Sequence, residues 1–358
     1  NWDFWDADTL IYAASQNGAW TLNSYHLKTH RQIRICDGFS VFSHISCASN
    51  AQSGPCAALF TGSPTASNAP SYLTQDLGQW HIHRITQSTS PLADADISVP
   101  RSFWFDTSGG EQAHLWYYPP TNANYCDNDD SKPPLIVLGH GGPTGATDTA
   151  LNLKIQFWTS RGFAVADVNY RGSTGFGRDY RQRLNRQWGV LDVDDLCAAA
   201  EFLVTETLVH PSRKVIKGSS AGGYSVLAAL TQHTTFDAGV SLYGIADLEA
   251  LAKDTHKFEA HYLDGLIGLY PDEKAVYQTR SPINHIDGLN CPILVAQGLD
   301  DKVVPPEQAE LIVQAAKRKG VPVEYLPFSG EGHGFRQAGT IIELFTREHA
   351  FYCRTLKL

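Results

Sequence analysis

Methionine is absent from all 358 positions, and the chain opens on Asn1. Together these mark the chain as a piece of a longer product, so no targeting leader is readable at its start. Long apolar runs are also lacking. None approaches the roughly 18 to 20 uninterrupted apolar residues that a membrane-spanning helix needs, which sets the membrane aside as a partner. Positive charge is sparse: 28 Lys and Arg against 37 Asp and Glu leave a net charge of −9, with no basic patch or tail. Phosphate backbones require clustered cations, so nucleic acid is excluded as well. The seven cysteines (Cys36, Cys47, Cys56, Cys126, Cys197, Cys291 and Cys353) include no C-x-x-C pair. That pattern gives neither a metal site nor a disulfide framework, and it fits a reducing, cytoplasmic setting. The Gly-rich stretch Arg171–Gly177 lacks the Lys-Ser/Thr ending of a P-loop and the context of a dinucleotide fingerprint. No cofactor is expected, and the stretch reads as an active-site wall.

What is present divides the chain in two. Residues 1–96 hold short β-type runs broken by turn signals such as Gln16-Asn17-Gly18. The order of Thr9–Ala14, Trp20–Leu27 and Gln32–Ile35 returns about 48 residues later in Ala57–Phe60, Ser71–Leu73 and His81–Ile85, near the length of a four-stranded propeller blade. Two blades cannot close a ring, so residues 1–96 read as the C-terminal part of a β-propeller. Residues 97–358 change character. After a hairpin (Ser102–Phe105, Ala113–Tyr118), apolar runs at Leu135–Gly139, Ala164–Val168, Lys214–Gly218, Ala238–Tyr243, Pro292–Ala296 and Val323–Pro327 alternate with helical patterns. Those patterns cover Thr149–Ser160, Val193–Thr205, Ala221–Gln232, Pro306–Lys319 and Thr340–Phe351. Buried strands alternating with amphipathic helices predict a mostly parallel sheet with helices on both faces, an α/β domain.

Chemistry concentrates at the C-terminal ends of these strands. Gly218-Ser219-Ser220-Ala221-Gly222 fits G-x-S-x-G between a strand and a helix, the setting of a nucleophile elbow. Ser220 holds its central position; Ser219 is expected to face the core or cap the turn. The loop Gln297–Pro305 offers Asp300 and Asp301 as the acid. For Asp301, capping of the following helix or solvation of the loop is favoured over catalysis. His333 lies on the glycine-flanked loop after the last strand, unlike the other thirteen histidines. A serine hydroxyl needs a base to take its proton, and an acid to hold that base in register. The oxyanion donors are expected at the Ala221 N–H and on the loop Gly139–Pro143, where Gly141 supplies close backbone approach and His140 shapes the hole.

The segments His140–Pro143, Asn169–Gly177, Gly218–Gly223, Gln297–Gln308 and Gly330–Phe335 resemble the prolyl oligopeptidase family of serine peptidases, in its acylaminoacyl-peptidase and dipeptidyl-aminopeptidase-like branch. The resemblance implies an α/β-hydrolase domain preceded by a β-propeller, and short peptides as substrates. It also implies the first Asp of Asp300-Asp301-Lys302-Val303 as the catalytic acid. Ile245, Phe258, Tyr262 and Val303 are implied as the pocket for the residue before the scissile bond, with Lys302 near a substrate carbonyl. A carboxylesterase is the enzymatic alternative, since the same groups serve any acyl transfer. A non-catalytic binding scaffold is the alternative of another class. Apolar positions on the C-terminal helices are compatible with a homo-oligomer.

Overall fold

The strands of the hydrolase half are apolar on both faces because helices cover both faces. In the computed structural model, which describes residues 1–36, 38–50, 54–86, 91–125, 131–254 and 261–358, sixteen strands form three sheets. The first is an antiparallel ribbon in the order β1 (Trp2–Phe4), β2 (Thr9–Gln16), β3 (Ala19–His26), β4 (Arg31–Arg34). The second has the same plan: β5 (Val41–Asn50), β6 (Gly54–Ser63), β7 (Ala66–Asp76), β8 (Gln79–Arg84). The 48-residue recurrence is thus one four-stranded sheet followed by another. They share a small core of Trp5, Ile11, Leu22, Phe42, Leu59 and Leu73.

The third sheet contains β9 (Arg101–Asp106), β10 (Gln112–Tyr118), β11 (Leu135–Gly139), β12 (Ala164–Asn169), β13 (Lys214–Ser219), β14 (Ala238–Leu242), β15 (Ile293–Gly298) and β16 (Val323–Phe328). Their spatial order is β16-β15-β14-β13-β11-β12-β10-β9; the β9–β10 and β10–β12 pairs are antiparallel, and the remaining pairs are parallel. The helices are α1 (Leu153–Thr159), α2 (Arg178–Gln182), α3 (Leu191–Thr205), α4 (Ala221–Gln232), α5 (Leu248–Asp254), α6 (Tyr262–Leu266), α7 (Lys274–Arg280), α8 (Pro306–Lys319) and α9 (Ala338–Leu356). Because side chains alternate along a strand, Val137, Ala166, Ile216 and Val295 pack toward α3, α4 and α8. Ile136, Val165, Val215, Val240 and Leu294 pack toward α1 and α9 instead.

The antiparallel sheets lie against the hydrolase half through specific bonds. Ser15 Oγ donates to Gly175 O (2.9 Å), the Ser40 and Thr149 hydroxyls meet at 2.7 Å, and Leu151 N–H donates to Ser63 O (2.8 Å). Thr174 N–H, one residue from Gly175, donates to Gly145 O (2.8 Å) on the loop after β11. Among the described residues no helix is long and apolar enough to cross a membrane. The architecture is an α/β-hydrolase domain preceded by part of a β-propeller.

Candidate active site

β13 delivers Ser220 on a turn that no ordinary residue adopts comfortably. Ser220 has φ 55° and ψ −122° and stands at the N-terminal cap of α4. Such strain persists only when the surroundings over-determine it. Here the Ser220 N–H donates to Leu242 O (3.0 Å), and its carbonyl accepts from Tyr224 N–H (2.9 Å). The flanking glycines are required by contact. A Cβ at Gly222 would sit 2.1 Å from Gly139 O, and one at Gly218 2.3 Å from Gly222 O.

His333 reaches Ser220 from the loop after β16. Its Nε2 lies 2.9 Å from Ser220 Oγ, and its Nδ1 lies 2.7 Å from Asp301 Oδ2. The expectation of Asp300 as the acid is therefore corrected. Asp300 is exposed, and its backbone N–H is drawn to Glu331 O (2.9 Å). The turn after β15 sends the next side chain inward instead, so the Asp301 carboxylate is fully buried. Its Oδ1 accepts the N–H groups of Val303 (2.9 Å) and Val304 (3.0 Å), while Oδ2 is left for His333. Asp301 does not cap α8, whose N-cap is Pro305 with no side-chain bond; one oxygen closes the turn before the helix and the other meets the imidazole.

The expected oxyanion donors surround the same point. Ala221 is the first residue of α4, where backbone N–H groups have no acceptor within the helix. The loop after β11 crosses beside it: a Cβ at Gly141 would lie 3.3 Å from Ser219 O and 3.7 Å from Ser220 Cβ. His140 turns its ring away from Ser220. It stacks on Tyr170 (4.1 Å between ring centroids), and its nitrogens lie 2.7 Å from Ser173 Oγ and 2.8 Å from Gly141 O. Burial pushes its pKa down to about 4, so the ring is neutral at neutral pH and acts as scaffold.

A cavity of about 330 Å³ opens beside Ser220 and His333. Three of the four expected pocket residues, Ile245, Tyr262 and Val303, line it. Phe258 falls outside the described residues. Lys302 is exposed and is not part of the lining. The sequence reading missed Trp188, Leu251 and Leu263, which complete the apolar wall. These come from α5, α6 and the segment before α3, and no motif marks them. Tyr262 adds a second contact, since its hydroxyl lies 2.7 Å from Thr144 Oγ1 and accepts Thr144 N–H (3.3 Å). Among the described residues no group of three or more His, Cys, Asp or Glu is arranged to hold a metal ion.

Comparisons with known proteins place the chain in a family. The profile of the prolyl oligopeptidase family matches residues 149–358. Dipeptidyl aminopeptidase BIII of Pseudoxanthomonas mexicana is 34% identical over 220 residues, which is 60% of this chain and 32% of that protein. The acylamino-acid-releasing enzyme of Arabidopsis thaliana is 28% identical over 261 residues, 67% of this chain and 33% of that one. A puromycin-hydrolyzing peptidase of Mycobacterium tuberculosis superposes with a TM-score of 0.91 at 39% identity, over 97% of this chain and 53% of that one. The chain thus spans about a third of these curated relatives and about half of the solved structure. With its elbow serine, buried acid and apolar pocket on a mostly parallel sheet, the chain belongs to the prolyl oligopeptidase family.

Proposed function

We propose that the chain carries a serine peptidase that cleaves short peptides through an acyl-enzyme. Ser220 is the nucleophile, His333 the general base and then general acid, and Asp301 the residue that holds the imidazole. The observation that carries this reading is the continuous relay from Ser220 Oγ through His333 to the buried Asp301. In the first step Ser220 Oγ attacks the scissile carbonyl while His333 Nε2 takes its proton. Asp301 stays ionised and stabilises the imidazolium. The Ala221 N–H and the Gly141–Gly142 backbone face the developing oxyanion. His333 then protonates the leaving amine, and water repeats the sequence on the acyl-enzyme.

The pocket supports an apolar side chain before the scissile bond, with Ile245, Val303 and Trp188 as walls. Residues 1–96 serve as the closing part of a propeller and residues 97–358 as the catalytic domain. Free thiols at Cys47, Cys56, Cys197, Cys291 and Cys353 support a reducing, cytoplasmic setting. Relatives named as dipeptidyl aminopeptidase, acylamino-acid-releasing enzyme and puromycin-hydrolyzing peptidase define the panel to test.

That panel is aminoacyl, acyl-aminoacyl and Xaa-Pro anilides, puromycin and a p-nitrophenyl ester, with Ser220→Ala as control. Cleavage of one amide class, reduced by about 10³-fold or more in the variant, is the expected result. Turnover of the ester alone would replace the peptidase by a carboxylesterase. No turnover, with Ser220 unreactive toward a fluorophosphonate, would leave a binding scaffold.

A further inference from the structure

Tyr243, the residue just past β14, adopts φ 39°. For a bulky side chain this is a genuine outlier, and such outliers gather at functional sites. Its backbone is fixed from two sides: Tyr243 N–H donates to Ala296 O (2.7 Å), and the preceding carbonyl, Leu242 O, accepts the Ser220 N–H. The conformation swings the ring onto the site. The Tyr243 and His333 ring centroids lie 4.9 Å apart at an interplanar angle of 62°. Phe335 backs Tyr243 at 5.2 Å, and Phe328 backs Phe335 at 5.1 Å.

We propose that Tyr243 is a positioning residue whose ring holds the His333 imidazole in line with Ser220. This rests on the serine-hydrolase reading above. Asp301 fixes Nδ1 but leaves the ring free to swing about that bond; an aromatic side chain against the imidazole removes that freedom. The other titratable or charged groups around His333 are Asp301 on Nδ1, Glu331 and Arg336 on its own loop, and the exposed Asp300 and Lys302 on the acid loop. Glu331 is buried and occupied, accepting the N–H groups of Arg336 (3.0 Å) and Gln337 (2.9 Å).

The test is the pH dependence of fluorophosphonate labelling of Ser220 in the full chain, which needs no choice of peptide. Tyr243→Phe keeps the ring and should label within about threefold of wild type. Tyr243→Leu should label at least about tenfold more slowly at the plateau, because the imidazole is no longer held in line. Phe335→Leu, which loosens the support, should slow labelling in the same direction by less. Thermal midpoints report whether each variant is folded. A folded Tyr243→Leu with the wild-type labelling rate would overturn the proposal. So would a Tyr243→Phe as slow as Tyr243→Leu, which would assign the effect to the hydroxyl. If Tyr243→Leu does not fold, a wild-type profile in Phe335→Leu overturns the proposal on its own. Failure of wild type itself to label would sink the hydrolase reading, and this inference with it.

Discussion

Asp301 shows how much one carboxylate can be asked to do. Its Oδ1 is spent on the backbone of Val303 and Val304, which builds the turn that aims Oδ2 at His333. Asp301→Asn leaves an amide in a site made for two acceptor oxygens, and it favours the wrong imidazole tautomer. We expect kcat to fall by about 10⁴-fold, with KM changing little. Asp300→Asn should stay within about threefold, because that side chain is exposed and touches neither Ser220 nor His333. Steady-state kinetics on the preferred anilide checks both. The sequence identifies the acid loop through its position after a strand, but not which of two adjacent aspartates turns inward. That depends on how the backbone leaves β15, where the Asp300 N–H is captured by Glu331 O across the site. A contact between residues thirty-one positions apart leaves no local trace.

At the scale of the element, the elbow is the most constrained piece. Gly139, Gly218 and Gly222 let β11, β13 and the start of α4 approach to backbone contact. Gly222→Ala places a methyl against Gly139 O, so the helix start must shift. We expect a loss of about 1–3 kcal/mol of stability, visible in urea denaturation, together with loss of labelling at Ser220. Gly141→Ala is milder: its methyl would press on Ser219 O at 3.3 Å, which a shift of a few tenths of an ångström relieves, and it intrudes beside the oxyanion donors. It should keep the fold and lose about 10²-fold in kcat. Elements of this sort were readable wherever periodicity and punctuation coincided. α4 and α8 match the expected Ala221–Gln232 and Pro306–Lys319, and α8 ends at Gly320 in the left-handed region (φ 79°). α1 was expected from Thr149 but begins at Leu153, because the Asn152 side chain accepts the Lys154 N–H (3.0 Å) and caps it there. α9 runs on to Leu356, past the expected Phe351, because Phe351, Tyr352 and Leu356 bury against the sheet.

Across the whole molecule, buried ionisable groups set opposing pH limits. Burial pushes the Asp167 carboxyl up to about 8, so the folded state keeps a proton that the unfolded chain has released. Its contribution is full below pH 4 and is lost as the pH rises toward 8. Burial pushes His114 and His140 down to about 4, so folding excludes protons that the unfolded chain would bind below pH 6.5. Their contribution is lost as the pH falls from about 6.5 toward 4. Thermal midpoints should therefore decline on both sides of an intermediate optimum. Asp167→Asn should raise the midpoint relative to wild type by an amount that grows from pH 4 to pH 8, reaching a few degrees. Equal differences at both ends would contradict this. None of these groups announces itself in the sequence, since their burial depends on the assembled fold: Asp167 lies beneath α1 and α9, His114 among Trp104, Trp116 and Phe176, and His140 against Tyr170.

The bond from Ser15 to Gly175, followed by the bond from Thr174 to Gly145, has a mechanical meaning. It forms a short linkage from the blades to the loop that carries Gly141. If the two halves hinge apart to admit a peptide, the linkage is loaded, and the backbone that must cradle the oxyanion is pulled along with it. Bond breaking would then be geared to closure: a gap wide enough to let the substrate through is also a gap in which the hole is out of tune.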